Sequence, residues 1–163
     1  IGTDKFEHLF GRGFKYFTDY YLGKRTLEKT LKSGILGEKT IYGGNFLATG
    51  VFSYADLSAN FNGMRFWNHV LQRRVDILGR GSNLGPYVLC ENKKFILNKN
   101  TKIDFTNYFD PSYDEGINCS KFSNKDALNK FNKSLKNLSQ KSSVEYRCPM
   151  DDKLLNQMIE KYG

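Results

Sequence analysis

The sequence predicts a mainly α, α+β chain, and three observations carry that prediction. Apolar residues recur at helical spacing in several separate stretches. A glycine-rich, aperiodic segment from Ile41 to Val51 interrupts them, with Gly43-Gly44 as a turn signal for a loop or small hairpin. No run of about 18 apolar residues occurs, so no membrane-spanning helix is expected. The length, 163 residues, suits one compact domain spanning 1–163, and 39% hydrophobic with 26% charged residues excludes wholesale disorder. No internal repeat or domain boundary is visible.

The first helix is expected from Thr3 to Tyr21. Thr3 can cap it, Phe6, Leu9, Phe10, Phe14 and Phe17 form its apolar stripe, and Gly23 ends it. A second helix follows over Lys24–Glu38, with Leu27, Leu31 and Ile35 four apart on one face. Ser53 is a good N-cap for a third helix, with Asp56 three residues on, where an acid favours a helix start. Its buried stripe reads Leu57, Phe61, Met64 and Leu71, while Asp56, Asn60, Gly63 and Trp67 fall on a neighbouring face. Beyond the loop 79–86, Tyr87–Cys90 and Phe95–Asn98 flank Glu-Asn-Lys-Lys and predict a small hairpin. Asn107–Ser120 carries no clear period. Asn124–Leu138 is an amphipathic helix on the spacing of Leu128, Phe131, Leu135 and Leu138, and a last helix starts at Met150.

Charge narrows the partners. The balance of 25 Lys+Arg against 17 Asp+Glu, a net +8, fits nucleic acid, an anionic membrane surface or an anionic polymer such as bacterial cell wall. The basic residues scatter, and no nucleic-acid motif accompanies them, which argues against nucleic acid. Cys90, Cys119 and Cys148 form no C-x-x-C pair, so zinc is not expected, and neither is any other metal or cofactor. One disulfide plus one free thiol suits an oxidising compartment, the alternative being three reduced thiols. Cys119 and Cys148 flank the same helix and are the expected pair. A chain that begins at Ile1 reads as a processed product, with any signal peptide removed from view.

The chemistry concentrates between Glu38 and Asn60. Glu38 ends an apolar helix, where partial desolvation raises a carboxyl pKa and makes a general acid usable near neutral pH. Glycines then let a bulky substrate approach the backbone. The hydroxyls of Tyr42, Thr49, Ser53 and Tyr54, with Asp56 and Asn60 on the next helix, suit the many directional hydrogen bonds of a sugar chain.

This order of parts resembles the lysozyme superfamily, in which a catalytic glutamate ends a buried helix and a hairpin or glycine-rich element follows. Here it reads Glu38, Tyr42-Gly43-Gly44, then Thr49-Gly50-Val51-Phe52-Ser53-Tyr54. The stretch Thr49 to Gly63 also resembles predatory-bacterium lysozymes that act on de-N-acetylated cell wall. The likeness covers residues 24–70; the Glu-Ser and Gly-Leu-Met-Gln signatures of lytic transglycosylases and the acidic spacing of phage lysozymes are absent. It implies a lysozyme-like helical fold and a secreted or periplasmic, monomeric muramidase that cleaves the β-1,4 backbone of peptidoglycan. Glu38 would protonate the leaving oxygen, and Tyr54, ahead of the helix-capping Asp56, would assist. Tyr42, Asn45, Thr49, Ser53, Asp56 and Asn60 would bind glycan, with Tyr113 and Asn118 returning from the polar–aromatic stretch 108–120. The alternative is a non-catalytic envelope binding or inhibitor protein.

A second pattern, Asp4-Lys5-x-x-His8-x-x-Gly11, then Glu38, then Ser53-x-x-Asp56-x-x-x-Asn60-x-x-Gly63, resembles VanZ-like small envelope proteins. It implies that His8, Glu38, Asp56 and Asn60 converge between helices as a polar cluster.

Overall fold

The computed structural model describes residues 2–40, 50–71 and 74–162. They are mainly helical, with two small two-stranded antiparallel sheets. The chain divides into two compact units, residues 1–32 with 58–110 and residues 33–57 with 111–163. Two helices, α3 (Leu27–Lys39) and α4 (Tyr54–Leu71), contribute residues to both.

The first unit opens with one helical run made of α1 (Asp4–Glu7), a π turn (His8–Arg12), α2 (Gly13–Phe17) and a second π turn (Thr18–Leu22). Its buried residues are Lys5, His8, Leu9, Gly13, Tyr16, Phe17 and Tyr21. That set repeats at about four residues per turn, because each π turn holds more than the 3.6 residues of an α turn. The stripe expected from α-helical spacing is therefore corrected: Phe6 and Phe14 are 46% and 45% exposed. Thr3 is corrected as well. Its backbone is already helical and its side chain makes no capping bond. Gly23 does end the run, where a Cβ would meet the Asp19 carbonyl oxygen at 2.5 Å.

Tyr16, Phe17, Tyr21 and Met64 form the apolar core of this unit, with Leu27, Leu31, Phe61, Trp67 and Ile77 packed on it. Here α4 crosses the first run backbone to backbone. A Cβ on Gly63 would meet the Leu9 carbonyl oxygen at 2.0 Å, and one on Gly13 would meet the Gly63 Cα at 2.5 Å. The close approach lets Trp67 Nε1 donate to the Phe10 carbonyl at 2.9 Å.

A polar network lies buried beside this core. Arg65 Nε donates to both Asp76 oxygens at 3.1 and 3.0 Å. His69 Nε2 stands 2.8 Å from Asp76 Oδ2, and His69 Nδ1 pairs with the Tyr108 hydroxyl at 2.7 Å. That hydroxyl in turn meets Tyr87 at 2.7 Å. Burial pushes the Asp76 carboxyl up, but the His69 ring, the Arg65 guanidinium and the Leu78 N–H outweigh it, and the net shift is downward. Burial, reinforced by the bond to Tyr87, raises the Tyr108 hydroxyl. The hairpin appears one residue from its expected place. β2 (Val88–Glu91) pairs with β3 (Lys94–Leu97), and Asn92 and Lys93 take positive φ in the two-residue turn.

In the second unit β1 (Val51–Phe52) pairs antiparallel with β4 (Lys121–Phe122). Helix α5 (Lys125–Lys141) is capped by Asn124, whose Oδ1 accepts from the Ala127 N–H at 2.8 Å. Helix α6 (Asp152–Tyr162) is capped by Asp151 Oδ1, which accepts from the N–H groups of Lys153 and Leu154 at 2.9 and 3.0 Å. Cys119 and Cys148 are disulfide-bonded, as expected, and Cys90 is free and exposed. Among the described residues no helix is long and apolar enough to cross a membrane.

Three outcomes test this packing. Gly63→Ala is expected to lower stability by at least about 2 kcal/mol, since backbone rather than a movable side chain stands in the way; urea melts of the two proteins measure it. Asp76 titrates below its ordinary value in the folded protein. Its stabilisation is therefore present above about pH 3.9 and lost as the pH falls through the folded value. Melting temperatures between pH 6 and pH 2 should fall less steeply in Asp76→Asn, and an identical acid limb would contradict the assignment. Cys119 and Cys148 are 29 residues apart, so reducing their bond should cost about 2–4 kcal/mol. Denaturation with and without reductant reads that loss.

Candidate active site on helix α4

The site begins at the start of α4. Ser53 Oγ accepts from the Asp56 N–H at 3.1 Å, which is the N-cap bond that the sequence predicts. The same hydroxyl donates to Glu115 Oε1 at 2.9 Å. Ser53 thus does the capping, and Glu115 fixes the rotamer of the cap. Asp56 stands in the first turn, where the helix dipole favours an anion. Asp56 is buried, 1% exposed.

Glu38 reaches the same place from the end of α3. It is buried, while its neighbour Leu36 is exposed and Lys39 turns its ammonium over the Phe52 ring at 5.9 Å. One oxygen of Glu38 and one of Asp56 lie within 4.8 Å of each other. Glu38 is therefore an inward-facing acid rather than an exposed helix-end charge.

Along α4, Asn60 follows Asp56 by one helical turn, about 5.4 Å, and shares its face. His8 docks there, its Nδ1 2.9 Å from Asn60 Oδ1, with both residues buried. His8 Nε2 is 3.8 Å from a Glu7 oxygen, too long for a hydrogen bond. Each unit thus holds one pair: Glu38 with Asp56 in one, and His8 with Asn60 in the other. No family model, curated protein or solved structure matches this chain.

Other residues singled out in the sequence have different placements. Tyr42, Asn45 and Thr49 lie outside the described residues. Tyr54 is 42% exposed, its ring edge-on to Phe52 with centroids 5.1 Å apart. Tyr113 is buried in the short turn Pro111–Tyr113, and Asn118 Nδ2 donates to the Ser112 carbonyl at 3.1 Å, which ties its own loop together. The network of Arg65, Asp76, His69, Tyr108 and Tyr87 escaped sequence reading. Its members are spread from 65 to 108 with no repeated spacing, and only the fold joins them.

Chemically, two buried carboxylates this close are the pair that glycosidic cleavage uses. Ser53→Ala removes both the cap and the anchor to Glu115. The expected cost is about 1–2 kcal/mol, with Ser53→Thr retaining most of the stability. Guanidinium melts decide it, and an alanine variant as stable as the parent would show that the hydroxyl is dispensable.

Proposed function

We propose that this protein is an exported, lysozyme-like glycoside hydrolase that cleaves the β-1,4 glycan backbone of peptidoglycan, with Glu38 as the general acid. The observation that carries the reading is the buried Glu38–Asp56 carboxylate pair, within 4.8 Å. Carboxyl groups about 5–5.5 Å apart are the spacing of retaining hydrolases, whereas inverting enzymes hold them about 6.5–9.5 Å apart to seat a water. Asp56 then takes the second role, as nucleophile or as stabiliser of the oxocarbenium-like transition state. Tyr54 becomes a residue that meets the sugar rather than the main helper of Glu38.

The net charge of +8 favours attraction to an anionic wall, an effect that salt weakens. The order along the chain of acid, glycine-rich segment and new helix supports the same reaction class. Release of soluble muropeptides from purified sacculi, native and chemically deacetylated, tests the reading. Glu38→Gln and Asp56→Asn are each expected to lower release by about 10²–10⁴-fold while circular dichroism stays unchanged. Product sugars should keep the anomeric configuration of the substrate. A fully active Glu38→Gln removes Glu38 as the acid, and an inactive parent protein on both substrates favours the non-catalytic envelope binding protein instead.

A further inference from the structure

We propose that the β2–β3 hairpin docks this protein onto an anionic lipid bilayer, with Phe95 and Leu97 entering the interface and the neighbouring lysines meeting lipid phosphates. The inference does not rest on the glycan reading, and every residue it uses belongs to the first unit.

The hairpin leaves its apolar side chains in solvent. Phe95 and Leu97, 75% and 64% exposed, are the two most exposed large apolar residues among those described. Side chains alternate between the faces of a strand, so these two share one face. The register sets Cys90 opposite Phe95 and Val88 opposite Leu97, and residues directly across an antiparallel pair lie on the same side. Val88, Cys90, Phe95 and Leu97 therefore make one face that carries no charge. A single exposed apolar side chain is ordinary on a protein surface, whereas a contiguous apolar face marks an interaction surface. The base of the ribbon is anchored. The N–H of buried Tyr87 donates to the His69 carbonyl at 3.0 Å, and its carbonyl accepts from the Asn98 N–H at 2.8 Å. Asn98 Nδ2 and Thr101 Oγ1 each donate to the Pro86 carbonyl at 2.8 Å. The apolar face is thus presented with little further ordering cost.

Charge and area select the partner. Lys93 in the turn, Lys94 at the head of β3, and Lys99 and Lys102 just beyond it are all exposed. Glu91, opposite Lys94, is the one acid between Val88 and Lys102. Lysines beside an apolar tip match anionic headgroups over hydrocarbon, their stems lying along the apolar layer and their ammonium groups reaching the phosphates. Each lysine near such a surface strengthens attachment about fivefold. The area argues against a protein partner. A phenylalanine ring offers about 150–250 Å², and with one leucine beside it the face falls short of the roughly 800 Å² that each partner gives to a stable protein interface. A bilayer requires no matching shape and accepts a small apolar tip.

Co-sedimentation of the parent protein with phosphatidylcholine vesicles, and with vesicles of equimolar phosphatidylcholine and phosphatidylglycerol, tests the proposal. Binding should be at least about tenfold stronger to the anionic vesicles and should weaken as salt is raised. Phe95→Thr combined with Leu97→Thr should lower it at least about tenfold, and Lys93→Gln and Lys94→Gln about fivefold each. These side chains are exposed, so urea melts of the variants should overlay that of the parent. A second measurement needs no variant to fold. An environment-sensitive dye on the free thiol of Cys90, opposite Phe95, should shift to the blue on anionic vesicles and stay unshifted on neutral ones. Absence of binding, equal binding to both vesicles, or binding that survives the double threonine variant overturns the proposal. So does a dimer in vesicle-free buffer that the same variant dissociates, because it assigns the face to a second copy of the chain.

Discussion

Two glycines govern which face of α4 is turned inward. Gly13 and Gly63 carry no Cβ, so the helices meet at their backbones, and Trp67 and Asn60 come within bonding distance of Phe10 and His8. A methyl group at either position would force the helices apart and lengthen both contacts. The geometry also explains an inversion. Leu57, Phe61, Met64 and Leu71 read as the buried stripe of α4, yet Leu71 is 38% exposed and only Met64 of the four is fully buried. The face that carries Asp56, Asn60 and Gly63 is the buried one, because small and polar residues permit the close crossing. Polar groups buried this way must find partners, which is why that face carries directed bonds.

How far the sequence can be read depends on whether local spacing matches local geometry. Helix α5, the β2–β3 hairpin and the Ser53 cap obey local rules, and all three appear within a few residues of their expected places. The first helical run does not. Its two π turns stretch the repeat to about four residues per turn, so counting by 3.6 assigns Phe6 and Phe14 to the interior and overlooks Lys5, Tyr16 and Tyr21. The pairing of Cys119 with Cys148 is legible because one helix separates them. For the candidate site, Glu38, Asp56, Asn60 and His8 stand out by spacing. Their pairwise contacts, Glu38 with Asp56 and His8 with Asn60, depend on helix packing that no local pattern encodes.

The start of α4 separates two tasks that one acid is often thought to share. An aspartate three residues after a capping serine is ordinarily assigned to the helix dipole. Here Ser53 satisfies the N–H of Asp56, and Glu115 holds Ser53 in place. A distant carboxylate thus holds the capping hydroxyl, and an Asp56 oxygen lies within 4.8 Å of one from Glu38.

The two histidines show why burial alone does not mark a functional site. His69 is fully buried, and both its ring nitrogens face fixed partners, Tyr108 on one side and Asp76 on the other. Arg65 completes the charge balance on Asp76, and Tyr87 closes the chain of hydroxyls. Such a network is consumed by its own internal bonds. It stiffens the unit, and removing one member leaves an uncompensated charge inside. His8 differs in kind. A neutral amide oxygen orients its ring, which sets the tautomer without adding charge. The rigidity of this unit is therefore expected at Arg65 and His69 on α4.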